Sequence, residues 1–234
     1  MKSWIDKTSL ILVSLCGLLV LPALAGVQVP ASRPEEIEWV WEVRPSHVDP
    51  KLPNVLLVGD SITRNYFPEA QHQLSDAANV YLFASSTSVG DPRLSHQLHE
   101  FASMENVTFR VVHFNNGMHG WAYSEEEYKK AFPSLMRELK SIAPGASLIW
   151  ATTTPVKAEK SPGPTNDRID VRNSAALAFV AATGIPVDDQ HELMTHHADQ
   201  YEDDVHFNPA GAAIQGRQAA EFIRKALAKV SSAK

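Results

Sequence analysis

Cysteine is all but missing. The 234-residue chain has one, Cys16, inside an apolar run near its start. That excludes thiol nucleophiles, cysteine metal sites, iron–sulfur clusters and any intrachain disulfide. An excess of basic charge is missing too. The formal net charge is −6, with no Lys/Arg-rich stretch, so nucleic acid is not an expected partner. Internal repeats and low-complexity tracts are also lacking. A hydrophobic content of 44% suits one sizeable domain with a well-buried core.

The start of the chain reads differently from the rest. Lys2 and Lys7 precede an apolar run from Leu10 to Leu21, and Ala23-Leu24-Ala25 follows. This is the pattern of a secretory signal peptide, residues 1–25, with cleavage expected after Ala25. The run is short for a membrane span of about 20 residues, so no stable membrane insertion is expected after processing. Cys16 lies within the apolar run behind Leu15, where a lipoprotein signal would place a small residue. The expected location is secreted or periplasmic.

Residues 26–53 hold Pro30, Pro34, Pro45, Pro50 and Pro53, which rules out a long helix. This segment is expected to be an extension packed on the core, its "IEWVWEV" a short strand or an aromatic strap. Strand-like and helix-like segments then alternate through residues 54–234. Strands are expected over Asn54–Val58, Asn79–Phe83, Thr108–Phe114, Ser147–Ala151 and Ile185–Val187. Helices are expected over Ser124–Ser141, Asp167–Thr183 and Pro209–Val230, the last behind Asn208 as N-cap. Such alternation implies an α/β fold, a parallel sheet covered on both faces, with ligand sites at the carboxyl ends of its strands.

Two motifs stand at such places. "NVLLVGDSIT" ends a buried strand on Gly59-Asp60-Ser61. A serine hydroxyl is a weak nucleophile alone and needs a base, a carboxylate to orient that base, and donors for the oxyanion. "YEDDVHFNPAG" supplies His206 and, three residues earlier, Asp203, within reach of one ring nitrogen.

These two blocks, in this order, resemble those of the SGNH hydrolases, also called GDSL esterases/lipases. The resemblance covers roughly Asn54 to Val230. It implies a three-layer α/β/α sandwich around a parallel, flavodoxin-like five-stranded sheet. It also implies Ser61 as nucleophile, His206 as base and Asp203 as its orienting acid, with Asp204 where a glycine is common. Gly90 in "SSTSVGDP" is similar to the family's second block and would give a backbone oxyanion donor. The third block, ordinarily Gly-x-Asn-Asp, reads "HFNNGMHG" here. Asn115, Asn116 or His119 can each complete the oxyanion hole; the wording favours Asn115 and His119 as the polar pair.

The threonines of "LIWATTTPV" either rim the site or terminate a strand. Arg168 and Arg172 either contact a substrate or form a solvated helix face. "HELMTHH" resembles a zinc helix, but His191 and His196 are five residues apart rather than four; His196, His197, Asp199 and Asp203 remain an alternative metal cluster. The expected function is an exported serine esterase that needs no cofactor and acts on a small-molecule or polysaccharide ester, notably O-acetyl groups on carbohydrate. Alternatives are a lipolytic esterase or thioesterase, an acyltransferase on the same site, and a non-catalytic carbohydrate-binding envelope protein.

Overall fold

The computed structural model describes Met1 and residues 31–232; the expected signal peptide lies outside the described residues. Six strands form one sheet: β1 (Val40–Val43), β2 (Asn54–Gly59), β3 (Asn79–Ser85), β4 (Phe109–Phe114), β5 (Ser147–Ala151) and β6 (Val187–Asp188). Their order across the sheet is β1-β3-β2-β4-β5-β6. The five strands β2 to β6 are parallel in flavodoxin-like order, as expected. The correction is the sixth strand. "VWEV" pairs antiparallel with β3, Val40 opposite Ser85, and closes that edge of the sheet.

Side-chain alternation along the strands divides the core into two layers. Leu56, Val58, Tyr81, Phe83, Val112 and Phe114 face α2 (Arg93–Glu105), α3 (Glu125–Ile142) and α4 (Asn166–Thr183). Val55, Leu57, Val80, Leu82, Val111 and Ile149 face α1 (Ser61–Gln73) and α6 (Pro209–Ser232). A short α5 (Gln190–Thr195) follows β6. Every residue of β3 is buried, as a central strand between two helical layers requires.

The helix ends follow their sequence signals. Ser124 and Glu127 make a reciprocal capping box at the start of α3, behind which the acidic first turn complements the helix dipole. Asn208 Oδ1 accepts the N–H groups of Ala210 and Gly211, both at 3.0 Å, and starts α6. Gly184, at φ +69°, ends α4.

One polar pair lies sealed in the sheet. His113 on β4 and Asp188 on β6 meet at 2.7 Å, both without solvent exposure. Gln190 and Gln218 also donate to Asp188. Through these bonds the His–Asp pair ties the sheet to α5 and α6.

Candidate active site

Ser61 is the first residue of α1, directly beyond the carboxyl end of β2. Asp60 is the N-cap, its Oδ1 accepting the Ile62 N–H at 2.9 Å. Asp60 therefore serves the helix start and leaves Ser61 to face outward. The Ser61 N–H opens the helix, where no intrahelical carbonyl precedes it. A side chain at Gly59 would meet Thr63 Oγ1 at 2.0 Å, so the turn from strand to helix needs glycine.

The loop before α6 brings the imidazole to it. Asp203 Oδ1 accepts the backbone N–H of Val205 at 2.7 Å and of His206 at 2.6 Å. Asp203 Oδ2 accepts from His206 Nδ1 at 2.8 Å. The opposite ring nitrogen, Nε2, lies 2.7 Å from Ser61 Oγ. One carboxylate thus fixes both the loop and the ring's tautomer. Burial works against its charge, but the two backbone N–H bonds, the ring's bond and the ring's charge outweigh it and hold Asp203 down to about 2. Asp204 points elsewhere, to Lys160 Nζ at 3.2 Å.

The oxyanion candidates come from the loops after β3 and β4, which flank β2. The Gly90 N–H makes only a long bond, 3.3 Å, to Ser88 Oγ. Asn116 laces the two loops together: its Oδ1 accepts from Val89 N–H at 2.9 Å and its amide donates to Thr87 O at 3.0 Å. The Asn115 amide donates to Ala151 O at 2.8 Å and to Thr153 Oγ1 at 3.1 Å, so its two N–H bonds are taken. His119 differs. Its Nδ1 meets Glu35 Oε2 at 2.9 Å, while its Nε2 is buried without a partner. Burial disfavours the charged ring, yet the Glu35 bond and the charges of Asp60, Glu35 and Glu38 raise His119 above the ordinary histidine value. Glu35 moves the opposite way. Burial would raise it, but His119, the Gly120 N–H and Arg172 lower it.

Sequence reasoning missed what holds the 117–123 loop. Arg172 is fully buried and donates to the carbonyls of Gly117, His119, Gly120 and Tyr123. Its guanidinium lies 4.1 Å from the Trp121 ring centroid. Arg168 donates to Trp121 O, Tyr123 O and Glu125. Both arginines stitch the loop; neither is a solvated-face residue nor free for substrate. Gly120, at φ +73°, sits so close to Ser88 that a side chain would meet its Cβ at 2.1 Å. The threonines directly after β5 also turn inward. Thr152, Thr153 and Thr154 are buried, and Thr152 Oγ1 bonds Asp189 at 2.9 Å and accepts from His191 N–H at 2.7 Å.

Among the described residues, no group of three His, Cys, Asp or Glu side chains is placed to hold a metal ion. His196 pairs with Glu192, and His191 with Asp170. A pocket of about 380 Å³ lies between α2 and α3, lined by Val89, Gly90, Leu94, Leu98 and Leu135 among others. It borders the site at Val89, Gly90 and Tyr123.

Comparison with known proteins bears on the family and the fold. The profile of the GDSL-like Lipase/Acylhydrolase family matches residues 57–214. A lipolytic G-D-S-L family protein from Veillonella parvula superposes with a TM-score of 0.60 at 16% identity, over 73% of this chain and 98% of that one. The lipase/acylhydrolase from Enterococcus faecalis gives 0.58 at 18%, over 74% and 96%. The catalytic domain of peptidoglycan O-acetyltransferase A from Streptococcus pneumoniae gives 0.55 at 18%, over 75% and 94%. A search of curated proteins found no match. At these identities the structures speak for the fold, and the family profile for the chemistry: the chain belongs to the GDSL-like lipase/acylhydrolase family, the SGNH hydrolases, serine hydrolases that act on ester bonds.

Proposed function

We propose that the protein is an exported esterase that removes small acyl groups, O-acetyl above all, from carbohydrate. The observation that carries the mechanism is the unbroken relay from Asp203 through His206 to Ser61, at 2.8 and 2.7 Å. Ser61 Oγ attacks the ester carbonyl as its proton passes to His206 Nε2. The imidazolium is stabilised by Asp203 and returns the proton to the departing alcohol. Water, deprotonated by His206, then attacks the acyl-serine, and the acid leaves. The oxyanion is held by the N–H groups of Ser61 and Gly90 and by Nε2 of His119, whose buried nitrogen is unpartnered, whereas the Asn115 amide is occupied.

The carbohydrate assignment rests on the surface beside Ser61. Arg64, one helical turn on, lies over the rings of Trp39 and Trp41, at 5.3 and 5.2 Å from their centroids. Trp41 is 52% exposed. An aromatic face with a guanidinium suits stacking and hydroxyl recognition on a sugar. A domain of the same fold is named a peptidoglycan O-acetyltransferase, so sugar O-acetyl chemistry is within this fold's range. Export rests on the signal pattern at residues 1–25, with cleavage after Ala25.

The test is a panel of aryl esters of increasing acyl length and O-acetylated glycans, with Ser61→Ala as control. Acetate release from the glycans and loss of turnover by about 10³–10⁶ in Ser61→Ala are expected. A preference for long-chain lipid esters would overturn the substrate class, and undiminished turnover in Ser61→Ala the mechanism.

A further inference from the structure

The loop after β4 carries a second carboxylate–imidazole pair, and its carboxylate comes from the proline-rich segment ahead of the domain. Glu35 stands in the strap that leads into β1. Its Oε2 accepts from His119 Nδ1 at 2.9 Å, and its Oε1 accepts the Gly120 N–H at 2.7 Å. The strap is anchored on both sides of that contact. Ser32 Oγ donates to Asp91, Glu38 accepts from Ser86 Oγ and Arg93, and Trp39 packs edge-on to His119 with centroids 5.9 Å apart.

We propose that Glu35 is the positioning residue for His119, and that it holds the ring as an imidazolium whose Nε2–H is the third oxyanion donor. A carboxylate only accepts, so the nitrogen facing Glu35 carries a proton. A neutral ring would then present a bare lone pair at Nε2, which would repel an oxyanion. Only the cation offers a proton on both nitrogens. The two pairs of the site thus have opposite duties. His206 is neutral to accept a proton, while His119 is charged to donate a hydrogen bond.

The surroundings favour that charge. Glu35 and Glu38 face His119 from the strap, and Asp60 faces it from the end of β2. Two cations oppose: Arg172 from α4, bonded to the His119 carbonyl, and Arg64 from α1, across Trp39. Arg93 partly neutralises Glu38. Arg172 also acts on Glu35, helping to keep it ionised. The net direction for His119 is upward, in accord with geometry.

This inference rests on the esterase reading but is tested apart from it. Ring nitrogens of His119 are followed by long-range ¹H–¹⁵N NMR against pH in Ser61→Ala, with His119→Asn for assignment. Both nitrogens should be protonated at neutral pH and titrate above the ordinary histidine range; Glu35→Gln should lower that titration. In the active enzyme, kcat/KM should fall on the alkaline side as His119 loses its proton. His119→Asn should abolish that descent, since an amide donates without titrating. Glu35→Gln should shift it to lower pH, with the change in kcat and little in KM. His119→Ala should cost roughly 10²–10³ in kcat. A bare Nε2 at neutral pH, or an alkaline descent unmoved by Glu35→Gln, overturns the proposal. If Glu35→Gln fails to fold, the titration in the wild-type strap still decides it. If Ser61→Ala retains turnover, the esterase reading falls while the His119 titration stands on its own.

Discussion

Arg172→Met should be among the most damaging single changes in the protein, although the residue touches no member of the Ser61 relay. Its guanidinium donates at 3.0 Å to Gly117 O, 2.8 Å to His119 O, 3.2 Å to Gly120 O and 3.2 Å to Tyr123 O. Methionine fills much of the volume but donates nothing. A charged hydrogen bond contributes about 1.5–3 kcal/mol, and a buried carbonyl left unpaired costs about 1–3 kcal/mol. The contributions overlap, and removing the cation also relieves the desolvation of a buried charge, so a simple sum is too large. A net loss of about 3–5 kcal/mol is the proper scale. For a domain of this size that lowers Tm by roughly 10–15 °C. Arg172→Lys keeps the charge but offers a compact ammonium in place of the planar fork, and should recover less than half of the loss. Chemical denaturation with tryptophan fluorescence measures both, and acetyl-ester turnover at low temperature reports displacement of His119. A shift below about 3 °C in Arg172→Met would refute the claim that this arginine holds the loop.

Other perturbations separate the roles assigned above. Asp203→Asn should reduce kcat by up to about 10⁴ by releasing the ring's tautomer, whereas Asp204→Asn, which severs only the contact with Lys160, should change it less than about threefold. Ser124→Ala removes the capping box of α3 and should cost about 1 kcal/mol, a Tm shift of roughly 2–4 °C by calorimetry, without affecting kcat. Asp91 is held at about 2, below its ordinary 3.8; burial opposes this, while bonds from Arg93 and Ser32 outweigh it. A depressed carboxylate stabilises the fold above its unfolded value and loses that contribution as pH falls through the folded one. Between about pH 4 and pH 2 the wild type should therefore lose about 2 kcal/mol that Asp91→Asn lacks throughout, read from denaturation midpoints across that window.

What could be read beforehand was local. Short Val/Ile/Leu-rich runs between capped helices announced the α/β layers, and Ser124, Asn208 and Gly184 marked helix ends within a residue or two. Ser61, Asp203 and His206, named from two short blocks, lie in one hydrogen-bonded line. What escaped depended on distant pairing. A charged residue on a helix, such as Arg172, looks solvated until the loop it clasps, some fifty positions back, is folded against it. Glu35 lies in a proline-rich stretch with no regular period, and its partner is 84 residues away. Polar ends such as Thr152–Thr154 look alike whether they rim a cleft or bond their own backbone. The expected strand Ile185–Val187 is displaced to Val187–Asp188, because so short a strand carries almost no pattern.

The strap has a consequence for how the protein comes into being. It is translated before everything it binds: Glu35 waits for His119, and Arg33 for Glu127, 94 residues further on. Ser61 waits longer still, for an imidazole 145 residues downstream. Closing such wide loops is paid in chain entropy before any contact compensates, so these junctions form late. A ribosome-bound or truncated chain that stops short of residue 206 has Ser61 without the imidazole that stands beside it in the fold. The Ser61–His206 contact therefore exists only once nearly the whole polypeptide has been made, whereas the strap meets its anchors Ser86 and Asp91 across only 47 and 59 residues.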